Sequence, residues 1–140
     1  MHRGTCLCGG IRFEISGPLA PIQVCHCSQC RKAQGGPFAT NIPVELACLH
    51  FAEGRALLRE FESSAGKFRA FCERCGSPIF SRRSALPDVV RIRAGALVEP
   101  IATRPAAQFH VGERVAWWPL NETLPKFDGS APQRKNPADR

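Results

Sequence analysis

Three cysteine clusters constrain this chain more than any other feature of its sequence. They are Cys6-x-Cys8, Cys25-x-Cys27-x-x-Cys30 and Cys72-x-x-Cys75, with an eighth cysteine, Cys48, standing alone. Disulfide frameworks spread their cysteines out, because closing a longer loop removes more entropy from the unfolded chain. Cysteines one or two residues apart suit a metal ion that needs several sulfurs at once. The spacing points to a fold stapled by metal.

The N-terminal Met1-His2-Arg3-Gly4-Thr5 lacks the apolar core of a secretory signal. No run is long and apolar enough for a transmembrane helix, so a cytoplasmic protein without a membrane partner is expected. A reducing compartment also argues against persistent disulfides. A length of 140 residues fits one domain. The formal charge of +7 invites a nucleic-acid reading. Seven thiolates and two divalent ions would lower that charge to about +4. Arg31, Lys32, Arg69 and Arg74 sit beside the clusters, where they can balance anionic metal–thiolate centres. The cations are scattered and do not alternate with stacking aromatics, so nucleic acid is not the expected partner.

The pattern is mainly β. Ile11 to Ile15 alternates apolar and polar residues as a half-buried strand does. Similar segments are Phe38 to Val44, Leu57 to Phe61, Phe68 to Phe71, Ile79 to Ser81 and Val89 to Arg93. A late pair, Ala107 to Val111 and Ala116 to Trp118, flanks the turn Gly112-Glu113 and reads as a hairpin. Twelve Pro and twelve Gly break up long helices. One short helix is expected from Ser28 to Gln34, stopped by Gly35-Gly36, with a further turn around Ala96 to Val98. Trp117, Trp118 and Phe127 are expected mainly to pack in the core. Residues 1–127 read as the folded domain, and 128–140 as a polar, disordered tail.

The clusters differ in what they can do. In Cys6-Leu7-Cys8, an extended backbone would place both sulfurs on one face. Cys72-Glu73-Arg74-Cys75-Gly76 reads as a knuckle, with Gly76 free to take a positive φ. Joined, they give a closed four-cysteine site with a structural role. Cys25, Cys27 and Cys30 bring three thiolates to one ion and leave a coordination position open. Alternatively, Cys48, His26, His50 or a carboxylate closes that site. Three thiolates make zinc a modest Lewis acid, so a thiol ligand suits the open position better than water activation does. Arg31 and Lys32 are the candidates for holding carboxylates of such a thiol. His26 is a candidate proton carrier or a side chain turned away from the metal.

These residues resemble a known family. Gly4-Thr5-Cys6-Leu7-Cys8-Gly9, Cys25 to Lys32 and Cys72 to Ile79 are similar to the glutathione-dependent formaldehyde-activating enzymes, which also include centromere protein V. The likeness continues through Phe109-His110-Val111 and Trp117-Trp118 to Leu124-Pro125-Lys126-Phe127. It implies a β-tent fold with Cys6, Cys8, Cys72 and Cys75 as ligands of a structural zinc. It also implies Cys25, Cys27 and Cys30 as ligands of a catalytic zinc. The activity it implies is carbon–sulfur chemistry, in which glutathione adds to formaldehyde, so a thiol and an aldehyde are the expected small-molecule partners. Two other readings are a binding module for nucleic acid or protein, and zinc storage or redox sensing by the thiolates. No oligomeric state is implied.

Overall fold

Alternation decides which face of each strand is buried, and two sheets follow from it. The computed structural model describes residues 1–130. A three-stranded antiparallel sheet is built from β1 (His2–Thr5), β2 (Arg12–Ile15) and β5 (Leu49–Glu53), in the order β1-β2-β5. The other strands are β3 (Ile22–Cys25), β4 (Ala39–Glu45), β6 (Leu58–Ser64), β7 (Lys67–Cys72), β8 (Pro78–Arg83), β9 (Leu86–Arg93) and β10 (Pro105–Phe109). They form a seven-stranded sheet in the order β10-β3-β4-β9-β8-β7-β6. All its pairings are antiparallel except that of β10 with β3. The mainly β expectation holds.

The core lies between the sheets. Phe13, Ile15 and Leu49 come from the small sheet, and Ile42, Val44, Phe80, Val90 and Ile92 from the large one. Burying each such side chain contributes about 1.5–3 kcal/mol. Strand register makes the large sheet two-faced. Ala70, Phe80, Ile92 and Ile42 lie side by side across four strands, and all are buried in the core. The adjacent row, pointing to the opposite face, is Arg69, Ser81 and Arg91. One face of the sheet is therefore apolar and the other strongly basic.

Among the described residues one α-helix, α1 (Ser28–Gln34), is present, and it follows β3. The Sγ of Cys27 caps it by accepting the Cys30 N–H at 3.2 Å. Gly35, at φ 71°, ends it by donating its N–H to the Arg31 carbonyl at 2.8 Å. That conformation is costly for any residue with a Cβ, which is why glycine stands there. Short 3-10 turns cover Leu46–Cys48, Arg55–Leu57, Ala94–Ala96 and Val111–Glu113.

The expected late hairpin does not form. β10 ends at Phe109, His110 takes the left-handed conformation at φ 54°, and Val111–Glu113 turns as a 3-10 segment. β10 pairs instead with β3, and on its other side with a bridge from Gln108 to Lys126. The Phe127 ring stacks on Phe109 at 5.2 Å. Trp117 and Trp118 are 67% and 51% exposed, so the expected core packing fails for both. Residues 131–140 of the expected tail lie outside the described residues.

Candidate metal centres

The structure brings seven of the eight cysteines into two groups, and none of the eight forms a disulfide. Cys6, Cys8, Cys72 and Cys75 form the first, with all sulfurs within 4.8 Å of one another. Cys6 to Gly9 is a tight turn, closed by the Gly9 N–H on the Cys6 carbonyl at 3.1 Å. That corrects the expected extended backbone, though Leu7 does point outward, at 87% exposure. The turn lets Cys6 Sγ accept the Ile11 N–H at 3.2 Å. Cys72 to Ser77 forms the opposing loop, closed by Gly76 N–H on the Cys72 carbonyl at 2.8 Å, with Gly76 at φ 76°. Ser77 joins the two loops: its Oγ accepts the Leu7 N–H at 2.8 Å and lies 3.2 Å from Cys75 Sγ. The Ser77 hydroxyl, with the amides of Ser77 and Cys8, lowers the Cys75 thiol to about 5. Cys72 and Cys6 are buried against the core, so this group sits where the two sheets meet.

Cys25, Cys27 and Cys30 form the second group, again with sulfurs within 4.8 Å of one another. Cys25 ends β3 and Cys27 is still extended, at φ −63° and ψ 152°, so the two side chains share a face. The first turn of α1 then carries Cys30 to them. Register places Cys25 on the same face as Asn41 and Arg93, opposite the core. Among the described residues neither Cys48, His26 nor His50 joins the group. Cys48 packs against the core on the other side of the sheet. His26 is buried, with Nε2 3.0 Å from Gln108 Oε1 and its ring edge-on to Phe38. Gln108 donates its amide nitrogen to the Asn121 carbonyl at 2.7 Å, which turns its oxygen toward the imidazole.

Negative charge in this group settles on Cys30. Its thiol is lowered by hydrogen bonds from Cys25 and Cys27, and then by Arg69. Cys25 is raised correspondingly, by Cys27 and Cys30. Arg69, 8% exposed, places Nη1 3.6 Å from Cys30 Sγ. Its Nε donates to Ser63 Oγ at 2.9 Å and its Nη2 to Gln29 Oε1 at 3.5 Å. Arg91 and Arg93 of β9 and Lys67 of β7 lie on the same face. Burial lowers Arg93 to about 10. Burial, followed by the nearby Arg83, Arg91 and Arg69, lowers Lys67 to about 8.

Arg31 and Lys32 are placed differently. Arg31 donates Nε to the His26 carbonyl at 3.4 Å, and Lys32 is exposed on α1. The cations of the sheet escaped the sequence-based expectation apart from Arg69. A signal was present: Arg91 and Arg93 alternate with Val90 and Ile92, which puts both cations on one face of a strand.

The comparisons with known proteins agree with this geometry. The family model for glutathione-dependent formaldehyde-activating enzymes matches residues 1–113. The chain belongs to the glutathione-dependent formaldehyde-activating enzyme family. A relative from Halomonas elongata, provisionally named a glutathione-dependent formaldehyde-activating enzyme, is 33% identical over 115 residues. That match covers 77% of this chain and 72% of the relative. A crystal structure of a Rhodobacter sphaeroides protein superposes with a TM-score of 0.59 at 26% identity, covering 70% of this chain and 91% of that one. The matched family region contains both cysteine groups and ends just past β10. Among the described residues no helix is long and apolar enough to cross a membrane.

Proposed function

We propose that this chain is a zinc-dependent enzyme of the carbon–sulfur lyase type, acting on a thiol such as glutathione and an aldehyde such as formaldehyde. The observation that carries this reading is the pair of unlike cysteine groups, one of four thiols and one of three. Zn–S bonds of about 2.3 Å separate the sulfurs of a tetrahedral site by about 3.8 Å. The Cys6–Cys8 and Cys8–Cys72 sulfur distances of 3.5 and 3.9 Å fit that spacing. Four thiols complete a tetrahedron, so Cys6, Cys8, Cys72 and Cys75 are proposed as structural ligands. Three leave a position for a substrate, so Cys25, Cys27 and Cys30 are proposed as the catalytic group.

Zinc held there would favour the thiolate form of a substrate thiol near neutral pH. The chain's own residues do the rest. Cys25, Cys27 and Cys30 fix the position of the reacting sulfur. Arg69 offsets negative charge at Cys30, and Arg31 and Lys32 add cations on the helical side. In the reaction the sulfur forms a bond to the carbonyl carbon as the C=O π bond breaks. The thiol proton ends on the carbonyl oxygen, and no oxidant or reductant is required.

The functional unit is proposed to span residues 1–127, since the 125–127 segment returns to β10 through Gln108 N–H on Pro125 O and Phe127 N–H on Gln108 O. A cytoplasmic location is part of the same reading, because reduced thiols persist there. Zinc content of freshly prepared chain, repeated during glutathione titration, tests the metal assignment. Adduct formation from glutathione and formaldehyde tests the chemistry. Two zinc ions, one perturbed by the thiol, together with faster adduct formation, are expected. Unchanged adduct formation after Cys27→Ala would overturn the enzymatic reading.

A further inference from the structure

Four buried or half-buried cationic side chains lie on the face of the large sheet that carries Cys25, beside the exposed Arg83 of β8. Lys67 and Arg69 are alternate residues of β7, and Arg91 and Arg93 are alternate residues of β9. Ser81 of β8 lies between them, paired with Arg69 on one side and Arg91 on the other. Ser81 is 0% and Arg93 3% exposed, so they form a floor. Arg91 and Lys67 are half-buried and lie nearer to solvent.

The donors of Arg69 are occupied by Ser63, Gln29 and Cys30. Those of its neighbours are not. Arg91 Nη1, Arg93 Nε and Ser81 Oγ are buried polar atoms without a hydrogen-bond partner. Arg93 is held by Nη1 on Asn41 Oδ1, which fixes the plane of its guanidinium. Among the described residues no ion pair involves Lys67, Arg69, Arg91 or Arg93.

Cationic donors buried without an acceptor are costly. The cysteines offset part of that cost. Three thiolates around one divalent ion carry a single net negative charge, against these four cations and Arg83. The remaining positive charge and the unpartnered donors call for a further anion, and planar guanidinium groups suit a carboxylate.

We infer that Arg91, Arg93 and Ser81 form a carboxylate-binding subsite beside the three-cysteine group, with Lys67 adding positive charge. The inference rests on the reading of Cys25, Cys27 and Cys30 as the thiol-binding centre, and it narrows the substrate to a thiol that carries carboxylates. It also moves the main anion-holding role from Arg31 and Lys32 on α1 to the sheet.

The test uses the full chain loaded with zinc and measures binding of glutathione, glutathione diethyl ester and succinate by titration calorimetry. Glutathione is expected to bind more tightly than its ester. Arg91→Gln is expected to weaken glutathione about tenfold to a hundredfold while changing the ester by less than about twofold. Arg91→Lys should recover part of the loss, and Ser81→Ala should show a smaller one. Zinc content and the thermal midpoint of each variant establish that it is folded. Equal affinity for glutathione and its ester, or equal weakening of both by Arg91→Gln, overturns the subsite. Failure of the enzymatic reading looks different. Carboxylate-dependent binding of glutathione through Arg91, without adduct formation from formaldehyde, supports the subsite and removes the enzyme. If no thiol binds, succinate binding that Arg91→Gln weakens still supports the subsite, and absence of succinate binding overturns it.

Discussion

Arg69 on β7 reaches across the sheet to α1 and places its Nη1 3.6 Å from the Sγ of Cys30. The same guanidinium donates to Ser63 and Gln29, so the planar fork joins three elements at one thiol. Arg69→Gln removes the cation that favours the Cys30 thiolate. The Cys30 thiol should then titrate at higher pH, read from ultraviolet thiolate absorbance in metal-free protein. Stability should fall by about 1.5–3 kcal/mol, the usual worth of a buried hydrogen bond to a charged group. Arg69→Lys should recover the charge effect only in part, since an ammonium cannot hold the same three partners. An unchanged Cys30 titration in Arg69→Gln would show that the contact has no electrostatic role.

Cys27 holds the start of α1 as well as offering a sulfur to the metal group. These two roles separate by substitution. Serine keeps an acceptor at the cap, whereas alanine removes it. Both variants are expected to lose one metal ion per chain. Cys27→Ser should keep the thermal midpoint of the metal-depleted parent, and Cys27→Ala should lose a further 0.5–2 kcal/mol, about the range for a lost N-cap. Cys72→Ser, at a fully buried position beside the core, should instead abolish the cooperative transition along with its metal. Metal analysis with thermal unfolding distinguishes the three.

Local signals account for what the sequence made legible. The end of α1 could be read because Gly35 is its cap, and strands such as Val89 to Arg93 because one face had to be apolar. The parallel pairing of β10 with β3 left no such mark, since its partners lie some eighty residues apart and no turn ties them. Gly112-Glu113 resembled a hairpin turn, yet the left-handed His110 redirects the chain before it. The cysteine groups could be predicted from spacing. Their cationic surroundings depended on register: Arg31 follows Cys30 directly, while Arg69, 39 residues away, is the residue that touches it.

Gly4 on β1 lies directly across from Phe13 on β2, and the Phe13 ring occupies the space a Cβ would need. That ring is 1% exposed and packed in the core, so it has no free volume to enter. Gly4→Ala should therefore destabilise the chain by about 1–3 kcal/mol, as overpacking does. Denaturant midpoints measure the loss. Adding Phe13→Leu should make the pair less destabilising than the sum of the single changes, because the shorter side chain makes room for the methyl group.

Lys67 is pressed by burial and by Arg83 on β8, Arg91 on β9 and Arg69 on its own strand, while the Cys30 thiolate opposes the shift. Its folded value lies near 8, against an ordinary 10.5. Below pH 8 both folded and unfolded chains carry the charge, so folding bears the full cost of burying it. Between about 8 and 10.5 the folded chain has lost the proton and the unfolded chain has kept it, so this group makes stability rise with pH. Lys67→Met removes that dependence. The variant should be more stable than the parent below pH 8, with the difference closing by pH 10.5. Arg93, lowered to about 10, titrates in both proteins and largely cancels in the comparison. Denaturant midpoints of parent and variant across pH 6–11 make the measurement, and a difference that does not change with pH would mean that Lys67 keeps its ordinary titration in the fold.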